Sequence, residues 1–284
     1  MQLKLNGQTG KSIAAAAAVG LAAAVAAPAS ATVNTLVLDT FQASPSTSNA
    51  LAGSTADIGG TWSALNNVSN GSAGTSSAVI TPPANSNAGY VTVQTTGTNG
   101  NFVNTVAPLA ITPSGNGLLT LEANITYNNA SEWAAIGFAP NTSGANPNST
   151  GEPWMLISTA SGGYQMFEGP GTANKALGVS TSGYTGTTTV EMTYNLASGQ
   201  VELLLGKGAN AATLTTVGGF TYATLPAAPG AIFLGVRGVL APATFSNLSL
   251  TQVATPEPAS LGLFAIGGLG LLLAGRRKIV RSES

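Results

Sequence analysis

From position 117 to 127 the chain reads GLLTLEANITY. Leu119, Leu121, Ala123, Ile125 and Tyr127 fall on one parity, and Thr120, Glu122, Asn124 and Thr126 on the other. A period of two belongs to a strand with one buried face and one wetter face. A second stretch, TTTVEMTYNLASGQVELLLG, repeats that period twice. Val190, Met192 and Tyr194 point one way, Asn195 to Gln200 make a glycine-containing turn, and Val201, Leu203 and Leu205 return on the buried side. This is a hairpin. Shorter strand candidates occupy 35–38, 90–94, 133–138, 154–158, 164–167, 232–236 and 244–251. Loops such as NNVSNGSAGTSS and APNTSGANPNSTGEP separate them. No useful helix period interrupts this region. Many short strands with Gly/Asn/Ser/Pro connections predict an all-β, two-sheet antiparallel sandwich.

The two ends do not share this pattern. Lys4 and Lys11 precede an alanine-rich apolar run over 13–27, and small residues Ala29 and Ala31 flank Ser30. That order is a signal peptide over 1–31, cut after Ala31 by signal peptidase. At the other end, Pro256 and Pro258 flank Glu257; each proline lacks an amide donor, so no ladder continues through them. Residues 259–275 carry no charge, and Arg276, Arg277 and Lys278 follow. The run is just long enough for a transmembrane helix, and the basic cluster keeps the C-terminus in the cytoplasm. A permanent anchor is the alternative on topology alone. The expected organisation is a signal helix, a sandwich over 32–254 and a tail over 255–284.

Composition then removes whole classes of chemistry. The chain has no Cys and no His, which excludes disulfides, thiolate sites and Ser-His-Asp triads. Residues 32–254 carry Lys175, Lys207 and Arg237 against eight carboxylates, about five net negative charges. A mildly acidic domain without a basic patch predicts no nucleic-acid partner.

Two resemblances sharpen the reading. Near the start of the sandwich stands LDTFQASPSTSNALAGSTADIGGTWSALNN and near its end ATFSNLSLTQV. The Asp39-x-Phe41, Leu51-x-Gly53 and Asp57-x-Gly59-Gly60-x-Trp62 pattern resembles the opening strands of concanavalin A-like lectin/glucanase (LamG-type) jelly rolls. The closing stretch is similar to their last strand. First and last strands pairing in the same sheet would close the sandwich and hide its edges, and Trp62 is assigned to packing. The tail's Pro-Glu-Pro, short apolar helix and Arg-Arg-Lys resemble the PEP-CTERM sorting tail of Gram-negative bacteria, with IVRSES continuing past the basic cluster. That implies recognition by an exosortase, removal of the tail near 256–258, and delivery to the cell surface or the exopolysaccharide matrix.

Some members of the jelly-roll superfamily hydrolyse glycans with a Glu-x-Asp-x-x-Glu strand, and that motif is missing here. Glu122 and Glu132 stand too far apart to supply two carboxyls from one strand, and both read as solvated strand faces. No enzyme is expected. Glycan binding needs an aromatic plate beside amides and carboxylates. Trp133 has the opposite parity from Ile136 and Phe138, which places it on the outer face if those two fill the core. Trp154 and Tyr164 would share that face, near Glu152; the plain alternative has each aromatic packed under a loop. No cofactor is expected beyond a structural calcium, for which Asp39 and Asp57 are the rim carboxylates; a turn role for Asp57 competes with it. The expected function is an exported surface or matrix protein, structural or exopolysaccharide-binding. A ligand-free module and a divergent polysaccharide-active enzyme are the alternatives.

Overall fold

The computed structural model describes residues 31–42, 50–69, 75–81, 89–96, 103–127, 133–145, 151–160, 162–169, 174–178, 184–238 and 242–254. The chain divides into Thr32–Thr255 and a second unit made of Met1–Ala31 and Pro256–Ser284. The expected signal helix, Pro-Glu-Pro motif, transmembrane helix and basic cluster lie outside the described residues. Among the described residues there is no helix, hence none long and apolar enough to cross a membrane.

The described residues form fifteen strands, in order: β1 Val33–Asp39, β2 Asn66–Ser69, β3 Thr75–Thr81, β4 Tyr90–Thr96, β5 Val103–Ala110, β6 Gly117–Tyr127, β7 Trp133–Ala139 and β8 Trp154–Ser158. Then come β9 Gly163–Phe167, β10 Asn174–Gly178, β11 Thr187–Asn195, β12 Gln200–Lys207, β13 Thr215–Thr221, β14 Ala231–Gly238 and β15 Pro242–Ala254. They form an eight-stranded sheet, β13-β12-β11-β6-β15-β4-β3 with β1 also on β15, and a seven-stranded sheet, β10-β9-β8-β7-β14-β5-β2. The expected all-β sandwich of two antiparallel sheets is what the chain forms.

The alternation read from the sequence builds the core. Leu119, Leu121 and Ile125 of β6 and Val190 and Met192 of β11 pack in one cluster with Ile136 of β7 and Ile232 and Leu234 of β14. Across the layers, the Phe138 and Tyr194 rings stand 5.8 Å apart, tilted by 56°. The first and last strands pair antiparallel from Val33↔Val253 to Asp39↔Leu248, which covers an edge otherwise open to aggregation. Trp62 is buried, as its packing role required.

The stretch NNVSNGSAGTSS departs from its reading as a loop, because β2 and the start of β3 run through it. Their partners β5 and β4 supply the order that these turn-forming residues do not encode locally.

Candidate functional site

The two outer faces differ sharply. On β6 and β11 the outward positions include Thr120, Glu122, Asn124, Thr126, Thr187, Thr189, Glu191 and Thr193, with Leu118 among them, so this part of the eight-stranded sheet is mostly polar. The seven-stranded sheet presents a second apolar cluster, separate from the core, which includes Trp154, Leu156, Phe167, Phe233 and Val106. Strands β8 (WMLIS) and β9 (GYQMF) are therefore apolar on both faces, as in sheets covered on each side.

Register explains how this face holds large rings. Phe233 stands opposite Gly137, and Gly137 opposite Trp154, which in turn stands opposite Phe167. A Cβ at Gly137 would lie 2.3 Å from the Trp154 Cβ and 2.9 Å from the Phe233 Cζ. The missing side chain is the space the two rings use. Trp154 stacks on Phe167 with centroids 3.9 Å apart and planes 5° from parallel. Its indole N–H donates to the Gly169 carbonyl at 3.3 Å. The loop after β7 is tied to this face by Asn66, whose amide donates to the carbonyls of Thr142 at 2.6 Å and Ala145 at 3.2 Å. Ala145 joins the outer cluster.

The three aromatics expected on one face divide. Trp133 lies on the outer face, half-buried against the margin of the apolar cluster. Trp154 shares that face but is buried within it. Tyr164 departs from the expected grouping: it belongs to the core. Its hydroxyl donates to the Val217 carbonyl of the facing sheet, and burial raises its pKa. Glu152, expected nearby as a sugar ligand, is buried at 2% exposure. Burial pushes its carboxyl up to about 7, and its charge acts on the Tyr194 and Tyr222 hydroxyls.

Asp39 and Asp57 meet at the rim through a loop that folds back on β1, Leu38 and Ile58 exchanging both backbone hydrogen bonds at 2.9 Å. Asp39 Oδ1 accepts from the Phe41 amide at 2.8 Å and Oδ2 from the Trp62 indole N–H at 2.7 Å. Asp57 Oδ2 accepts from the Thr40 amide at 2.9 Å. Burial raises the Asp39 pKa, against the two hydrogen bonds and with a smaller push from Asp57. Three of the pair's four carboxylate oxygens thus already accept hydrogen bonds. That donor set fits a latch closing the 40–62 loop better than the six to eight oxygens that calcium collects. No group of three or more His, Cys, Asp or Glu forms a metal cluster among the described residues. Adding millimolar calcium to chelator-treated protein is expected to leave its melting temperature unchanged; a rise of several degrees would return both aspartates to the ligand role.

One pairing escaped the sequence. Glu122 faces Glu191 of β11 directly in register, not a second carboxyl on its own strand. Burial raises both pKa values, and Glu122 raises that of Glu191 further. Neither is a fully solvated strand face. Beside them, Asn124 Oδ1 accepts from Thr189 Oγ1 at 3.0 Å and from the Asn210 amide at 2.9 Å. Asn210 Oδ1 accepts from Asn124 and Asn247, each at 2.8 Å. This network pins the 208–211 turn and spends its polar groups on itself.

Fold and sequence together define an exported all-β sandwich protein. The export signal is specific: residues 254–278 match the PEP-CTERM protein-sorting motif. Among solved structures the chain is similar to arcelin-5, a lectin-like defense protein from Phaseolus vulgaris, at 13% identity over 67% of this chain and 99% of that one, with a TM-score of 0.41. Lectin II from Ulex europaeus shows 12% identity over 67% and 99%, also at 0.41. The VIP36 exoplasmic/lumenal domain in its Ca2+/Man2-bound form shows 10% identity over 78% and 89%, at 0.47. No curated protein matches. At these TM-scores the fold rests on the strand order and register above, not on the likenesses.

Proposed function

We propose that the protein is a component of the cell surface or extracellular matrix of a Gram-negative bacterium that binds an exopolysaccharide without covalent chemistry. Signal peptidase removes 1–31 after Ala29-Ser30-Ala31. The 259–275 helix holds the precursor in the membrane, with Arg276, Arg277 and Lys278 inside. An exosortase then acts near Pro256-Glu257-Pro258 and releases the sandwich to the surface. The sorting-motif match supports this itinerary.

The observation that carries glycan binding is Trp133, held half-buried at the margin of a close-packed apolar floor. A tryptophan fixed along one edge keeps part of its ring for a pyranose C–H face and loses little rotamer freedom on binding. Trp154 supports that floor. Tyr164 contributes by tying the two sheets together.

Trp133→Ala is expected to weaken binding to the native exopolysaccharide at least tenfold, about 1.4 kcal/mol, with Trp133→Phe intermediate. Affinity electrophoresis or a glycan array reads the change. Unaltered binding by the alanine variant removes the stacking proposal.

A further inference from the structure

The eight-stranded sheet carries an exposed aromatic on the face away from Trp133. Among the described residues, the large hydrophobic side chains left exposed are Val33, Ile58, Val79, Tyr90 and Leu225. Two of them are neighbours. On β3 and β4, Ala78, Ile80, Val91 and Val93 fill the core, so Val79, Thr81, Tyr90 and Thr92 take the outer face. Val79 stands opposite Thr92, and Thr81 opposite Tyr90. Val79 and Tyr90 are thus a diagonal pair about 7 Å apart, within reach of an aromatic ring. They are 38% and 41% exposed. The backbone beneath the ring is held closely: a Cβ at Gly89 would lie 2.1 Å from the Phe41 carbonyl oxygen and 2.9 Å from that of Thr81.

Hydroxyls continue from this pair in one register row. Thr92 faces Thr244 of β15, Thr244 faces Thr126 of β6, and Thr126 faces Thr187 of β11. All four are half-buried. A strand spacing of about 4.8 Å sets them along a line of roughly 14 Å. The Oγ1 atoms of Thr126 and Thr187 share a hydrogen bond at 2.6 Å, which orders that end of the row. Charge is missing here: β3 (TSSAVIT), β4 (YVTVQTT) and β15 (PATFSNLSLTQVA) contain no charged residue. Glu122 and Glu191 lie two rows further along β6 and β11. An exposed ring, an apolar side chain beside it and a line of uncharged hydroxyls suit a neutral sugar, with its C–H face and its rim of hydroxyls. A polyanion would find no counter-charge on these strands, in a domain that already carries about five net negative charges.

We propose that Tyr90, Val79 and the Thr92–Thr244–Thr126–Thr187 row form a second glycan-binding surface, which takes a neutral polysaccharide. Tyr90 stacks on a pyranose ring, Val79 extends the apolar contact, and the threonines meet the hydroxyls of the sugars that follow. This surface does not depend on Trp133, which lies on the seven-stranded sheet. With both faces occupied, one molecule bridges two chains; only that bridging rests on the glycan-binding reading above.

The experiment protects Tyr90 from chemistry, using the full chain in detergent. Tetranitromethane nitrates exposed tyrosines, and peptide mass spectrometry reads position 90. The probes are dextran, galactomannan and hydroxyethylcellulose, with carboxymethylcellulose as the anionic counterpart of the last. At least one neutral polymer should slow nitration of Tyr90 several-fold, in the parent and equally in Trp133→Ala. In that Trp133→Ala background, Tyr90→Ala should weaken binding of the same polymer about tenfold, while Tyr90→Phe keeps most of it. The protection assay uses unaltered protein, so it decides the matter even if a variant fails to fold. No protection by any neutral polymer overturns this inference; Trp133-dependent binding in the same samples leaves the glycan-binding reading standing. Carboxymethylcellulose protecting as well as hydroxyethylcellulose overturns the neutral class. Protection that grows with protein concentration and needs no polymer also overturns it, because the face then binds a second copy. Binding lost with Tyr90→Ala and unchanged by Trp133→Ala supports this surface and removes the earlier one.

Discussion

Gly137→Ala is expected to destabilise the sandwich by about 3 kcal/mol, at the upper end of what overpacking a filled site costs. The added methyl lands 2.3 Å from the Trp154 Cβ and 2.9 Å from its Cα. Those atoms belong to the neighbouring strand rather than to a flexible side-chain tip, so β8 itself has to move. Moving β8 disturbs the Trp154–Phe167 stack and the indole bond to Gly169. Chemical denaturation measures the loss, and the melting temperature of a domain this size should fall by roughly 6 to 12 °C. Gly151→Ala is the control, because a Cβ there meets nothing within 4 Å; its stability should change by less than about 0.5 kcal/mol. A loss below 1 kcal/mol for Gly137→Ala would mean that the outer face is not close-packed. The rigid floor beneath Trp133 would then be gone.

How far the fold was legible depended on whether a strand has one buried face or two. In β6, β11 and β12 one face is polar, so the alternation names the core residues outright. The same logic places Trp133 on the outer face, through Ile136 and Phe138. In β9 both parities carry apolar residues, and a period of two then cannot say which side of GYQMF is inner. Grouping Tyr164 with the tryptophans fails for that reason. Strand β13, TTVGGFT, was hidden differently: its two glycines read as loop, and only pairing with β12 makes it an edge strand. The Glu122–Glu191 pair lies beyond any local pattern. Both residues sit on outward parity in sequences that look alike on either strand, and which carboxyl meets which depends on a register fixed by the whole sheet.

That register bears on how stability depends on pH. The carboxyl pKa values that depart clearly from normal, those of Asp39, Glu122, Glu152 and Glu191, all move up, each chiefly through burial. Glu152 moves furthest, from 4.5 to about 7. A carboxyl whose folded pKa exceeds its unfolded one holds its proton longer in the folded state. Its contribution is complete below the unfolded pKa and is lost as pH rises through the folded one. For Glu152 the window runs from about 4.5 to about 7, and ionising it there costs roughly 2 to 3 kcal/mol. The other three carboxyls act in the same direction. The sandwich should therefore be most stable in mild acid and weaken steadily towards pH 8, opposite to a protein held by paired carboxylates. Glu152→Gln keeps the shape and removes the titration. It should match the parent near pH 4 and exceed it by roughly 2 kcal/mol at pH 8, with a shallower slope between. Denaturant midpoints taken at intervals across that range test both points. A parent whose stability climbs from pH 5 to 8, or a glutamine variant less stable at pH 8, would place Glu152 in a solvated setting. The description of a buried carboxyl acting on Tyr194 and Tyr222 would then be wrong.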